Sequence, residues 1–425
     1  MKRTASESRT NKSQQSERSL WQRLFAREGM GQAVLLPLLS VFTALLIGAV
    51  IIAFSNVEII AAWKNLFSSP METLKLTWQG ISHAYQAMFE GAFGIPSEMA
   101  KAYKEWKTTG ETRPLLEAFR PISESLVIAT PYIFAGLGVA LGFRGGMFNI
   151  GAEGQLFAAG LVATLIGYSV KGLPIYIHMP LAVLGGALGG ALWASIPGAL
   201  KAKTGAHEVI NTIMMNYIAF RLTDYLLSGP MMRPDGLPIS RDVLPSAYIP
   251  PMFAPPMRLH WGFIFALVMA WVVYWFLWKT PLGMEIRMVG ANPKAARYAG
   301  VRNAMITVLT MALSGALAGM AGVGQILGVN HNMVRAFSTG YGFDAIALAL
   351  LGNSHPLGVV LSSLLFGFLR GGAARMQSVA DVPVELIRII QGLVIVFIAA
   401  PEIIRSLYRI KEKKQEGPTA KLVAN

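Results

Sequence analysis

T-P-L-G-M-E-I-R-M-V-G-A-N-P-K-A-A-R-Y-A-G-V-R, residues 280–302, lies between two long apolar runs and carries Arg287, Lys294, Arg297 and Arg302 against one acid, Glu285. A stretch so charged is too costly to cross a bilayer and too short to be a domain, so it belongs on the membrane surface. Residues 292–298 predict a short helix: Pro293 suits a first turn, the alanines favour helix, and Gly300 stands where the helix would stop. A cationic helical stub between two spans is shaped to be gripped by something in the cytoplasm. The plainer alternative is a solvated loop that obeys the positive-inside rule.

The runs on either side set the class. Of 425 residues, 53% are hydrophobic and only 14% charged, more apolar than an ordinary soluble domain. The pattern predicts an all-α polytopic membrane protein with about ten transmembrane helices. The absence of cysteine excludes disulfides and thiolate metal sites. A net charge of +14 could attract nucleic acid, but the positive residues gather in segments that alternate spans place inside the cell. The charge therefore sets topology, and no nucleic-acid partner is expected.

Outward from the stub, the chain divides into a Ser-, Gln- and Arg-rich cytoplasmic tail (1–32), a transmembrane domain (33–410) and a basic cytoplasmic tail (411–425). The 22 uncharged residues 33–54 are long enough to span and longer than a signal-peptide core, so they read as an uncleaved first span. Residues 55–121 balance seven Lys/Arg with seven Glu and hold scattered aromatics, which suits an external amphipathic segment at the membrane interface or against a partner. Further spans are expected at 125–143, 154–170, 172–200, 208–227, 259–278, from 303, 342–352, 356–368 and 385–404, with 370–388 lying outside. Residues 142–155 hold five glycines and predict a break or re-entrant turn. Gly185/Gly189 and Gly186/Gly190 give small-xxx-small spacing for close helix approach. The Pro-rich stretch 229–258 predicts an ordered external loop. The uncharged run 303–334 is too long for one helix and too short for two, so an irregular piece is expected near 322–333. Ten spans place both termini in the cytoplasm.

Gly151-Ala152-Glu153 and Gly342-Phe343-Asp344 each set an acid after a Gly-rich lead and before an apolar run. Five spans separate them, so they point in opposite directions, as in a 5+5 inverted repeat whose broken helices line a transport path. Glu153, with Asn149 and Gln155, either borders such a path or caps a half-helix N-terminus. Glu208, Asn211, Thr212 and Met215 share one helix face with Asn216 beside them, either a polar bundle interior or a face able to meet hydroxyl and base-edge groups. Asp344 is the second intramembrane acid, and Arg221 and Asp224 pair at i, i+3. The six histidines have no metal-ligand spacing, and there is neither a phosphate-binding P-loop nor a nucleophile elbow, so no metal and no catalytic residue is expected.

Three stretches, G-M-E-I-R-M-V-G-A-N-P-K-A-A-R-Y-A-G-V, N-I-G-A-E-G-Q and T-G-A-H-E-V-I-N-T-I-M-M-N-Y, together with G-Y-G-F-D-A-I-A-L-A-L-L-G-N, resemble permease subunits of ABC importers of the simple-sugar and nucleoside type, over roughly residues 120–410. The long first external segment and the third stretch are most similar to the nucleoside branch. The resemblance implies a non-catalytic permease of the bacterial cell membrane that works by alternating access. It implies that Gly290, Ala291, Asn292, Pro293, Lys294, Arg297, Tyr298 and Gly300 form a coupling helix against an ABC ATPase, which holds the ATP and Mg. It also implies a second permease, most simply in a heterodimer, and an extracellular or periplasmic substrate-binding (lipo)protein, with membrane lipid around the spans and no cofactor on this chain. By the same resemblance the path or substrate residues are Asn149, Glu153, Gln155, Glu208, Asn211, Asn216 and Asp344. A pentose or hexose importer is the alternative. An ion-coupled secondary transporter, using Glu153 and Asp344 as ion carriers, is the reading from another class, and a membrane enzyme lacks its constellation.

Overall fold

Residues 30–409, which the computed structural model describes, form an all-α assembly with no sheet. The tails expected at 1–32 and 411–425 fall outside them, residues 30–32 excepted. The order begins α1 (Met30–Ser55), α2 (Val57–Lys64), α3 (Pro70–Phe93), α4 (Pro96–Thr109), α5 (Arg113–Arg144) and α6 (Ala152–Ser169). It continues α7 (Ile175–Thr204), α8 (Glu208–Leu227), α9 (Gly262–Lys279), α10 (Pro281–Ala291), α11 (Pro293–Tyr298) and α12 (Asn303–Gln325). A π-helical turn (Ile326–Asn330) precedes α13 (Tyr341–Leu351), α14 (Pro356–Ala380), α15 (Val384–Ala399) and α16 (Pro401–Leu407).

Six helices are long and apolar enough to cross a membrane: α1, α5, α7, α9, α12 with its π turn, and α14. The other four expected spans exist as helices but fall short of that measure. Helix α6 matches α9 in length at 18 residues but carries Glu153 and Gln155 in its first turn, α13 has 11 residues, α15 has 16, and α8 carries Glu208, Arg221 and Asp224. Length and composition therefore support six crossings among the described residues, and of the other four helices α6 and α13 start inside the bundle.

Helix α5 is central, because 83% of its apolar window is buried against 22% for α7 and 28% for α9. Glycines let the helices close on one another. Gly186 and Gly190 of α7 face α12, where a Cβ on Gly190 would lie 2.4 Å from Gly315 O, while Gly185 and Gly189 face Ile166 and Val162 of α6. The two overlapping small-residue registers thus serve two different neighbours. On α5, Gly138 meets the backbone of α12 at Ser314, and Gly136 meets Val359 of α14.

The segment 55–121 does not lie free along its whole length. Ala84, Ala87, Met88, Gly91 and Ala92 of α3 are buried, Tyr85 donates to Leu45 O of α1 at 2.5 Å, and Phe93 stacks on Phe368 at 4.5 Å. The C-terminal half of α3 therefore packs between α1 and α14, while Phe67, Met71 and Trp78 near its start stay exposed. The loop 228–261 is ordered by main-chain bonds: Leu244 donates to Gly167 O, Val243 to His331 O and Ile249 to Leu327 O, at 2.8–2.9 Å. It covers the ends of α6 and α12.

Helix α14 extends twelve residues past Phe368, to Ala380, where an external segment from 370 was expected. Gly371 and Gly372 do not end it. They carry no side chain because Ser125 and the backbone of Met88 press on them at 2.2–2.3 Å from a Cβ. Arg370 and Arg375 are consequently helical residues packed on α5, α13 and α3 rather than members of a loop.

Candidate functional site: where two half-helices meet

After Arg144 the chain turns back on itself through 145–151 instead of continuing. Met147 donates to Gly142 O at 2.9 Å, and Gly146 takes φ +72. Asn149, fully buried, organises the return. Its Oδ1 accepts from Gly151 N at 2.9 Å, its amide exchanges hydrogen bonds with the Gln155 amide at 3.0 Å in both directions, and Nδ2 donates to Ser314 Oγ at 2.9 Å. The Ser314 hydroxyl in turn donates to Gly138 O at 2.7 Å. Asn216 of α8 closes the other side, accepting from Gly154 N at 2.8 Å and donating from Nδ2 to Ile150 O at 3.0 Å. Three of these bonds, to Gly151 N, Gly154 N and Ile150 O, satisfy backbone groups at the start of the broken helix, and the others lock Asn149 in place to make them.

Glu153, 3% exposed, does not cap its own helix. Its Oε2 accepts the main-chain N–H of Gly342 at 2.6 Å, in the first turn of α13. A Cβ on Gly342 would lie 2.2 Å from Glu153 N, so the two helix starts touch backbone to backbone. Both N-termini present partial positive charge at the same place, and the carboxylates of Glu153 and Asp344 stand where that charge is highest.

Asp344 is held from α5 and α14. Its Oδ2 accepts from Tyr132 OH at 2.7 Å and pairs with Arg370 Nη1 at 3.4 Å. Arg370 also donates to Tyr132 OH and, through Nη2, to Thr339 O at 3.1 Å, and its guanidinium lies 5.5 Å from the Tyr341 ring centroid. The pair is not sealed: the Asp344 and Arg370 side chains are 33% and 21% exposed.

The structure thus brings Asn149, Glu153, Gln155, Asn216 and Asp344 together and leaves two other candidates apart. Glu208 pairs with Lys201 at 2.7 Å near the foot of α7, and the buried Asn211 Nδ2 has no protein partner. Arg221 and Asp224 pair at 3.4 Å, with Arg335 joining Asp224 at 3.8 Å. Arg370, Tyr132 and Ser314 were not singled out from sequence, because their partners lie far along the chain. Among the described residues, no group of three or more His, Asp or Glu is placed to hold a metal.

The 280–302 stretch folds as two short helices. Thr280 accepts from Gly283 N at 3.1 Å and caps α10. Asn292 accepts from Lys294 N and Ala295 N at 3.0 and 3.1 Å and caps α11, with Pro293 in its first turn and Gly300 at φ +86 just past its end. Ala296 is the buried foot of the stub, whereas Lys294, Arg297 and Tyr298 stand out, Tyr298 at 95% exposure. Gly290 rests on the α5–α6 turn, where a Cβ would meet Gly146 N at 2.8 Å. A cavity of about 790 Å³ between the stub and the foot of α7 is lined by Lys201, Arg297 and Arg302 and by no acid.

Comparison with known proteins adds a second line. The family described as "Branched-chain amino acid transport system / permease component" matches residues 122–399. The guanosine ABC transporter permease protein NupP of Bacillus subtilis is 41% identical over 69% of this chain and 85% of its own length. The glucose ABC transporter permease protein TsgB13 of Haloferax volcanii is 36% identical over 68% of this chain and 78% of its own. The nucleoside ABC transporter permease protein NupB of Lactococcus lactis is 32% identical over 68% and 82%. No solved structure matches.

Proposed function

The chain belongs to the family of branched-chain amino acid transport system permease components, and from that footing we propose that it is the transmembrane permease subunit of an ATP-binding-cassette importer whose solute is a nucleoside. The family description speaks of amino acids, but relatives at 41% and 32% identity are named for guanosine and for nucleosides. A relative named for glucose, at 36%, keeps a simple sugar as the second reading.

The observation that carries the proposal is the meeting of α6 and α13 at Glu153 and Gly342. Two helices that begin inside a bundle and point away from each other give a site reachable from either end, as alternating access requires. Asn149, Gln155 and Asn216 brace that site, while Glu208 and Asn211 lie toward the stub. Arg370 lies about 21 Å along α14, at 1.5 Å per residue. A charged pair at that depth is costly against lipid. A second permease subunit therefore covers the Asp344–Arg370 face, with the solute path between the two.

In this reading residues 290–300 dock on a separate ATPase that binds ATP and Mg, and this chain binds no cofactor. An external binding protein delivers the solute, and both termini are cytoplasmic. Uptake of labelled guanosine into vesicles containing the whole transporter tests it. Uptake is expected to vanish on a Walker-type lesion in the partner ATPase and to persist under an uncoupler. The opposite pattern would replace the proposal with an ion-coupled carrier working through Glu153 and Asp344, and competition by glucose but not by adenosine would replace the nucleoside with a sugar.

A further inference from the structure

Resting on the importer reading, we propose that Arg144 is a positioning residue that ties the 281–302 segment to both half-helices at once, so that a movement of the stub reaches α6 and α13 together. Its main chain makes one connection and its side chain the other.

The main-chain connection has no side chain in it. A Cβ on Gly290, in the last turn of α10, would lie 2.2 Å from Arg144 O, and one on Gly146 would lie 2.9 Å from Gly290 Cα. Bare backbone on bare backbone leaves no rotamer to absorb a displacement, so α10 cannot shift without carrying the 144–146 turn. That turn runs directly into 147–151 and α6, already pinned by Asn149.

The side chain reaches the other half-helix. Arg144 Nε donates to Ser354 O at 3.0 Å and Nη2 to Asn353 O at 2.9 Å. Both acceptors lie just beyond α13 and take left-handed conformations, φ +52 at Asn353 and +49 at Ser354, which non-glycine residues hold only when the surroundings impose them. A guanidinium at the C-terminal end of α13 also meets the negative pole of that helix. Trp278 at the foot of α9 steadies the arrangement: Arg144 lies 5.4 Å and Arg287 5.9 Å from its ring centroid, and Arg287 Nε donates to Leu277 O at 2.9 Å.

Two carbonyls gripped by one planar fork require arginine, since a lysine ammonium has neither the shape nor the fixed spacing. From the grip, α13 runs its eleven residues up to Gly342 and Glu153. One residue therefore fastens the base of each broken helix to the segment that faces the ATPase.

The test uses the complete transporter in vesicles, with R144Q and R144K beside the unaltered chain. Abundance, co-purification of the ATPase and basal ATP hydrolysis are expected to stay unchanged. Uptake per ATP hydrolysed is expected to fall about tenfold in R144Q, within the range reported for residues along a coupling network, and less in R144K. A parallel fall of abundance, hydrolysis and uptake, with their ratio intact, would assign Arg144 a merely structural role and overturn the proposal. The natural absence of cysteine allows a spin label at Tyr298→Cys and another at Phe343→Cys, both exposed positions. In the unaltered background both labels are expected to respond to ATP; in R144Q the Tyr298 response is expected to persist and the Phe343 response to shrink to what the Glu153–Gly342 contact still passes on from α6. A Phe343 label that responds equally in R144Q overturns the inference alone, whereas a Tyr298 label that never responds removes the importer reading with it.

Discussion

The carboxylate of Glu153 receives the main-chain N–H of Gly342 at 2.6 Å, so an acid on one broken helix caps the start of the other. Glu153→Gln keeps the size and the acceptor but removes the charge that both helix N-termini favour, a loss of about 1–2 kcal/mol, the upper end for a charge at a helix terminus. The expected result is a chain that inserts and melts a few degrees lower, with nucleoside uptake reduced more than abundance. Thermal melting of the detergent-solubilised complex and uptake per molecule measure the two. Equal losses in both would reduce Glu153 to a cap.

Gly342→Ala is the sharper change. The added methyl would stand 2.2 Å from Glu153 N and 2.5 Å from its Cα, and both are backbone atoms that cannot rotate away. Forcing α6 and α13 apart is expected to cost about 1–3 kcal/mol, as overpacking does, and to abolish uptake. Full uptake by this variant would show that the helix starts need not touch.

Asp344 and Arg370 invite a double-mutant cycle. Removing one partner of a fully buried pair costs about 3–5 kcal/mol, and the partial exposure of these two places them below that range. Arg370→Gln and Asp344→Asn are each expected to destabilise the chain, and the double variant is expected to be more stable than the sum of the single losses predicts. Additive losses would mean that the Tyr132 hydroxyl, not the ion pair, holds Asp344.

Arg370 also shows where reading a sequence stops. Residues 292–300 and the 142–155 break were legible because caps, prolines and glycines act on near neighbours, and Asn292, Pro293 and Gly300 do locally what their types prescribe. Arg370, followed by Gly371 and Gly372, carried the local marks of a helix end. It stays helical because Asp344, Tyr132 and Ser125 meet it and its neighbours from 26 to about 250 residues away. Balanced charge marked 55–121 as an external amphipathic segment but not what its apolar face would meet: alanines and Gly91 on one face of α3 let its second half pack between α1 and α14. The polar face of α8 divided for the same reason: Asn216 found backbone of the 150–154 turn, and Glu208 found Lys201.

His355 supplies a pH dependence at the stub end of the bundle. It precedes α14, its Nδ1 accepts from Leu357 N at 3.3 Å, and burial, then the nearby Arg144 charge, hold its pKa below the ordinary histidine value. Since the folded pKa is depressed, the unfolded state binds the proton more readily, and the stabilisation is present above pH about 6.5 and lost as pH falls below it. Amide exchange at Leu357 is expected to quicken between about pH 6.5 and 5, and His355→Asn, a cap that does not titrate, is expected to flatten that response. A profile identical in the two chains would remove His355 from the account.

The stub itself can be separated from the fold that bears it. Tyr298 is 95% exposed, so Tyr298→Ala removes no packing and should leave stability within about 0.5 kcal/mol. Gly300 sits at φ +86 with open space around it, so Gly300→Arg meets no clash but forces an ordinary residue into a left-handed conformation, at about 1–2 kcal/mol. Deleting residues 292–297 removes α11 altogether, along with the Asn303 contact to Pro293 O at 2.7 Å. All three variants are expected to insert, because none touches a span, and all three are expected to lose ATP-driven uptake in the order deletion, Gly300→Arg, Tyr298→Ala. Pull-down of the partner ATPase should weaken in the same order. The ranking discriminates because it runs with the damage to the protruding surface and not with distance from Glu153 and Gly342. Uptake that survives the deletion would mean that the force enters the bundle somewhere other than residues 290–300.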